Sequence, residues 1–190
     1  MKRIVIFASG SGTNAENLIN FFKNRNNASV TLVLTNNPYA KVLDRCKKLQ
    51  VSAMSFNKIA LTETNDVLNV LKASKPDLII LAGFLWKFPE AILNEFPNKV
   101  INVHPALLPK YGGKGMYGMH VHEAVVANKE TQTGITIHYV NEHYDDGAVI
   151  FQATCDVNSD DTAQDVAAKI HELEMVHFPR VVEKILLETL

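Results

Sequence analysis

The chain has 190 residues, 47% hydrophobic and 21% charged, with a formal net charge of -1. That composition suits one ordinary globular domain over residues 1–190 and excludes a disordered or coiled-coil chain. No nucleic-acid partner is expected, because phosphate contacts need a basic excess and the four arginines, Arg3, Arg25, Arg45 and Arg180, are scattered.

Cys46 and Cys155 stand alone without a CxxC spacing, so two reduced thiols are expected rather than a disulfide or a zinc site. The N-terminal apolar run holds only Ile4 to Ala8, too short for a signal peptide. No stretch approaches the roughly 20 apolar residues of a membrane span. A soluble, cytoplasmic chain with no membrane partner is the expectation, either monomer or homodimer.

In chain order, β-branched runs at Arg3 to Ala8, Val30 to Thr35, Val51 to Phe56, Leu78 to Ala82 and Lys99 to Val103 read as strands. Helical periodicity lies between them near Asn14 to Lys23, Ala40 to Gln50, Thr64 to Ala73 and Pro89 to Phe96. Repeated strand and helix predict an α/β, doubly wound, Rossmann-like fold whose sheet is mostly parallel. After Ala124 the pattern changes. Gly134 to Val140 and Ala148 to Val157, joined by "NEHYDDG", predict an antiparallel extension at the C-terminal side of the sheet. A long C-terminal helix should begin near Ser159 or Asp161 as N-cap and run to about Leu187, with Pro179 kinking it or breaking it in two.

"ASGSGTNAENL" follows the first strand and opens a helix, so its free amides predict an anion site, most naturally for one phosphate. Gly10, Gly12 and Ala15 also fit a loose dinucleotide fingerprint. That fingerprint needs an acid at the end of the second strand, and this strand ends in Thr35, Asn36 and Asn37.

Asn102 and His104 lie two apart at the carboxyl end of the fifth strand, so their side chains leave it on one side, where open parallel sheets bind ligands. Asn donates a neutral hydrogen bond and His moves a proton near neutral pH, which suits chemistry in which an oxyanion develops. Asp145 and Asp146 in "YDDG" can bring a carboxylate beside His104 and favour imidazolium. An ordinary Asp-Gly turn remains an alternative reading of that segment.

"SGSGTN", "LAGFLWKF", "INVHPALLPKY" and "HYVNEHYDDGAVIFQ" occur in an order and spacing that resembles the folate-dependent formyltransferases, over about Lys2 to Leu186. The resemblance is strongest to members that act on glycinamide ribonucleotide. It implies formyl transfer from 10-formyltetrahydrofolate to the amine of that ribonucleotide, in purine synthesis, with no metal. By the same resemblance Asn102, His104 and Asp145 form the catalytic trio, Gly12, Thr13 and Asn14 take the substrate phosphate, and Glu174 meets the ribose. The pterin is expected against the backbone of Leu85, Trp86, Lys87 and Phe88 and near Val140 to Asp145.

Two departures stand out. Trp86 occupies a place where many relatives carry arginine, leaving Lys87 or Lys58 as cations for the folate tail without the planar fork of an arginine. The loop "YGGKGMYGMHVHEA" is longer than in many relatives, and its glycines predict a mobile cover in which Lys114 reaches toward phosphate. Met116, Tyr117 and Met119 are expected to pack against the domain, with packing over the folate as the alternative. His120 and His122 have an HxH spacing, but no third metal ligand is evident.

Within the same chemistry, a formyltetrahydrofolate deformylase or a sugar-nucleotide formyltransferase is the alternative. Methionyl-tRNA formyltransferases carry an additional RNA-binding domain that this chain lacks the length and charge to supply. A non-catalytic nucleotide-binding module would need only the glycine turn.

Overall fold

The computed structural model describes residues 1–188 and places seven strands in one sheet of order β3-β2-β1-β4-β5-β6-β7. The last two residues of the expected 1–190 domain, Thr189 and Leu190, lie outside the described residues. β1 (Lys2–Phe7), β2 (Ala28–Thr35), β3 (Ala53–Ser55), β4 (Leu78–Leu81) and β5 (Val100–His104) pair in parallel. β6 (Gln132–Tyr139) and β7 (Val149–Asp156) extend the sheet antiparallel, as the alternation after Ala124 predicts.

Alternation along β1 sends Ile4 and Ile6 into one core and Val5 and Phe7 into another, so both faces of the sheet are covered. The first core gathers side chains of α1 (Thr13–Lys23), α2 (Lys41–Leu49), α6 (Met119–Ala127) and α7 (Ala163–Glu188). The second gathers those of α3 (Lys58–Thr62), α4 (Asp66–Ser74) and α5 (Glu90–Glu95). Each fully buried Ile or Phe in these layers contributes roughly 1.5–3 kcal/mol.

The order reverses at β1, whose neighbours β2 and β4 lead the chain to opposite edges. Such a switch point opens a crevice at the carboxyl ends of the strands. Phe7, Leu81 and His104 end the three strands that border it.

The helix expected over Thr64 to Ala73 is observed as α4, and a separate turn of helix, α3, precedes it, with N-cap Asn57 accepting a hydrogen bond from the Ala60 amide at 2.8 Å. Two expectations need correction. The long helix is capped neither by Ser159 nor by Asp161. Thr162 Oγ1 accepts from the Asp165 amide at 3.2 Å while the Asp165 carboxylate accepts from the Thr162 amide at 2.9 Å, a reciprocal capping box.

Of the two outcomes expected at Pro179, a kink or a break, the break does not occur: α7 is continuous over 26 residues. A proline removes the donor for the carbonyl four residues earlier, here Met175. Asn17 Nδ2, from α1, donates to that carbonyl at 2.9 Å and satisfies it. Among the described residues no helix is long and apolar enough to cross a membrane.

Candidate active site

The crevice is a cavity of about 560 Å³ whose wall includes Thr13, Asn14, Asn102, His104, Asp145 and Glu174. Its two ends are built differently.

At one end stands the glycine turn. Gly12 has φ +73°, and a Cβ there would lie 2.3 Å from Val42 Cγ2 and 2.9 Å from its Cα, so a side chain is excluded both by conformation and by space. The Glu16 amide bonds to the Gly12 carbonyl at 2.9 Å, closing the first turn of α1. Amides earlier in that turn carry no intrahelical partner, and they give this end of the cavity a positive character.

Asn14 Nδ2 donates to Glu174 of α7 at 2.8 Å, joining the turn to the long helix. Asn14 Oδ1 is buried without a partner, as is Nδ1 of His122, which lines the same cavity from α6. An unmatched buried polar atom costs about 1–3 kcal/mol. Burial pushes the His122 imidazole below its ordinary range. His171, also on the cavity wall, lies 3.8 Å from Glu174, and that neighbouring carboxylate pushes it upward.

The other end is the edge of β5. Asn102 and His104 face the same way, and register pairs them with His138 and Thr136 of β6. His138 is 2% exposed and its Nδ1 lies 2.8 Å from the Tyr139 carbonyl, which can only accept. Nδ1 therefore holds the proton, and Nε2 accepts from Asn102 Nδ2 at 3.1 Å. That bond fixes which way the Asn102 amide faces. Burial keeps the His138 imidazole below its ordinary range, in keeping with a neutral ring.

The same logic reads the tautomer of His104. Its Nε2 lies 2.7 Å from the Tyr111 carbonyl, so Nε2 is the protonated donor. Its Nδ1 faces Asp145 Oδ1 at 3.4 Å and is the position left for an exchangeable proton. Asp145 Oδ2 accepts from the Gly113 amide at 2.9 Å. Burial alone would push the Asp145 carboxyl up, but the neighbouring His104 ring, with the Gly113 amide, outweighs it and leaves the group below the usual carboxylate range. The side chains of His104 and Asp145 are 4% and 11% exposed, so this pair is screened from bulk water.

Below the β5 edge a smaller recess of about 60 Å³ shares Phe84, Asn102, Tyr144 and Asp145 with the main cavity and includes Trp86, Lys87 and Phe88. The Leu85 amide donates to Ser9 Oγ at 3.0 Å, which ties this segment to the end of β1. Leu85 is exposed at the cavity wall. Phe88 is buried and packs edge-on to Phe7 with ring centroids 5.1 Å apart, so its side chain belongs to the core and only its backbone is available to a ligand.

The loop after β5 departs from expectation. Met116 and Tyr117 line the cavity, whereas Tyr117 and Met119 are exposed rather than packed on the domain. Lys114 lies on the cavity wall. His120 points to Glu123, 3.5 Å away, and among the described residues no group of three or more His, Cys, Asp or Glu side chains is arranged to hold a metal. Sequence reasoning missed the part His138 plays in orienting Asn102. The alternation of β6 gives its inward face, but its pairing with Asn102 depends on a register that only the fold supplies.

A Rossmann-like sheet with an Asn, His and Asp cluster at its switch-point crevice defines the class. The chain belongs to the Formyl transferase family, whose sequence pattern matches residues 2–182. Within that family its likeness is to the phosphoribosylglycinamide formyltransferases. It is 32% identical to the Bacillus subtilis protein of that name, over 98% of this chain and 95% of the relative. It is 34% identical to the chloroplastic one of Vigna unguiculata over 96% of this chain, and it spans 60% of that relative's length. The crystal structure of glycinamide ribonucleotide transformylase 1 from Geobacillus kaustophilus superposes with a TM-score of 0.88 at 31% identity, covering 98% of this chain and 99% of that one.

Proposed function

We propose that the chain, as one domain over residues 1–190 and in the cytoplasm, transfers the formyl group of 10-formyltetrahydrofolate to the amine of glycinamide ribonucleotide, an early step of purine synthesis. The observation that carries this reading is the convergence of Asn102, His104 and Asp145 on one wall of a cavity whose far end is the glycine turn and Glu174.

The ribonucleotide phosphate meets the amides of Gly12, Thr13 and Asn14, where an anion gains from the helix terminus. Glu174 accepts from the sugar hydroxyls. These contacts direct the amine toward β5. On the donor side, the smaller recess and the backbone of Leu85, Trp86, Lys87 and Phe88 suit a flat heteroaromatic ring, with polar backbone groups at its edge.

The amine attacks the formyl carbon, and negative charge grows on the formyl oxygen. Asn102, its amide set by His138, donates to that oxygen. His104 delivers or receives the proton at Nδ1, and Asp145 stabilises the charged ring beside it. The bond from the formyl carbon to the folate nitrogen then breaks as that nitrogen regains a proton. Every step is proton transfer and charge stabilisation, so no metal is needed.

Purified chain supplied with 10-formyltetrahydrofolate should form formylated product only when glycinamide ribonucleotide is added. Release of formate at an equal rate without any amine would overturn the proposal in favour of hydrolysis.

A further inference from the structure

The strap that follows β5 holds both nitrogens of His104. Tyr111 sits at φ +56°, a backbone region rare for an aromatic residue, and this turn aims its carbonyl at Nε2. Two residues on, the Gly113 amide donates to Asp145, whose other oxygen faces Nδ1. His104, Tyr111, Gly113 and Asp145 thus form a closed circuit. If the strap shifts, both nitrogens lose their partners.

Something must hold Tyr111 in that conformation. Its hydroxyl donates to Glu130 Oε1 at 2.9 Å, and the same carboxylate takes Lys110 Nζ at 3.0 Å and 3.3 Å. Glu130 lies in the connection between α6 and β6, on a different segment of chain, and its amide bonds to the Val125 carbonyl at 3.2 Å. Its backbone is therefore anchored to the helix that lines the cavity, independently of the strap.

We propose that Glu130 is a positioning residue: by gripping the Tyr111 hydroxyl it keeps the Tyr111 carbonyl on His104 Nε2 and so sets Nδ1 as the atom that exchanges protons. Its kinetic consequence rests on the formyl-transfer reading, but its structural consequence does not. Lys110 is the exposed member of the group, with a side chain 68% exposed, and it supplies charge to Glu130 without touching the circuit.

The test compares Glu130→Ala, Tyr111→Phe, the double variant, Glu130→Gln and Lys110→Ala by nitrogen NMR of the histidine rings and by steady-state kinetics. Glu130→Ala and Tyr111→Phe should each lower the fraction of His104 protonated at Nε2 and lower kcat roughly tenfold with KM within about twofold, as expected when a reacting group is misplaced. Glu130→Gln keeps an oxygen that accepts from the phenol and should restore the tautomer. Lys110→Ala should leave kcat within about twofold of the unaltered chain.

The double variant should be no worse than either single one, because both remove the same contact. An unchanged His104 tautomer in the folded Glu130→Ala and Tyr111→Phe proteins, or additive losses in the double variant, would overturn the proposal. A tautomer shift in a chain that transfers no formyl group would sink the reaction and leave the brace standing.

Discussion

The glycine-turn end of the cavity offers backbone amides from one βα unit, joined through Asn14 to Glu174 of α7, whereas the β5 end is made of side chains brought together from β5, β6, the strap and the "YDDG" connection. Backbone amides bind by geometry and partial charge, without titrating. The β5 end carries ionisable groups whose protonation depends on what each ring nitrogen touches. The lesson is a division of labour between binding and proton chemistry. Substitutions at the two ends should therefore separate the two properties.

The largest effect belongs to the β5 end. His104→Ala should lower turnover roughly 10²–10⁴-fold while affinity for the ribonucleotide changes little, measured by steady-state rates beside calorimetric titration. A comparable loss in affinity would blur the division.

Gly12→Ala attacks the opposite end. A methyl group 2.3 Å from Val42 Cγ2, on a residue at φ +73°, should destabilise the fold by about 2 kcal/mol or more and weaken the ribonucleotide, seen as a lower Tm and a raised Kd. An unchanged Tm would mean that α2 yields freely around Val42.

A subtler signature is the dependence of stability on pH. Burial holds His138 and His122 below their ordinary values, so the unfolded chain takes up those protons first. Their contribution is complete above about pH 6.5 and declines as pH falls through the lowered folded values. Asp145, also lowered, adds stability that is present above roughly pH 4 and is lost as pH falls through its depressed value. His171 acts in the opposite sense, since its raised folded value gives stability that is full below about pH 6.5 and lost as pH rises through it. Replacing His138 with Gln should flatten the decline in Tm between about pH 7 and pH 5, and an unaltered slope would show that His138 is not held neutral.

The glycine-turn end uses α7 through Glu174, far along the helix from its start, so the smallest effect serves as a control. Thr162→Ala removes the cap of that helix and should cost about 1 kcal/mol in denaturant unfolding, with turnover unchanged. A fall in turnover would mean that the start of α7 reaches the chemistry.

The same contrast explains what could be read from the chain beforehand. The parallel half follows from local signals, since apolar runs, helical spacing and the glycine turn each specify their own element. Asn102 and His104 were legible because a two-residue spacing at a strand end needs no tertiary knowledge. Other features depend on partners distant in sequence. The continuity of α7 through Pro179 requires Asn17, and the tautomer of His104 requires a left-handed Tyr111 held by Glu130. Periodicity alone does not show helix α6, because "MHVHEAVVA" is apolar around most of its circumference; the family resemblance, which makes His122 a helix-start residue, does. His120 and His122, two apart in sequence, diverge in the fold: His122 turns inward against the cavity while His120 faces solvent and Glu123.

The most direct test of the division is Asp145→Asn, assayed for formyl transfer and for ribonucleotide affinity in the same preparation. Loss of the carboxylate beside His104 Nδ1 should lower kcat roughly 10³-fold and leave Kd within about twofold. Near-normal turnover, or a Kd that rises in step with the lost rate, would contradict the assignment of proton chemistry to the β5 end.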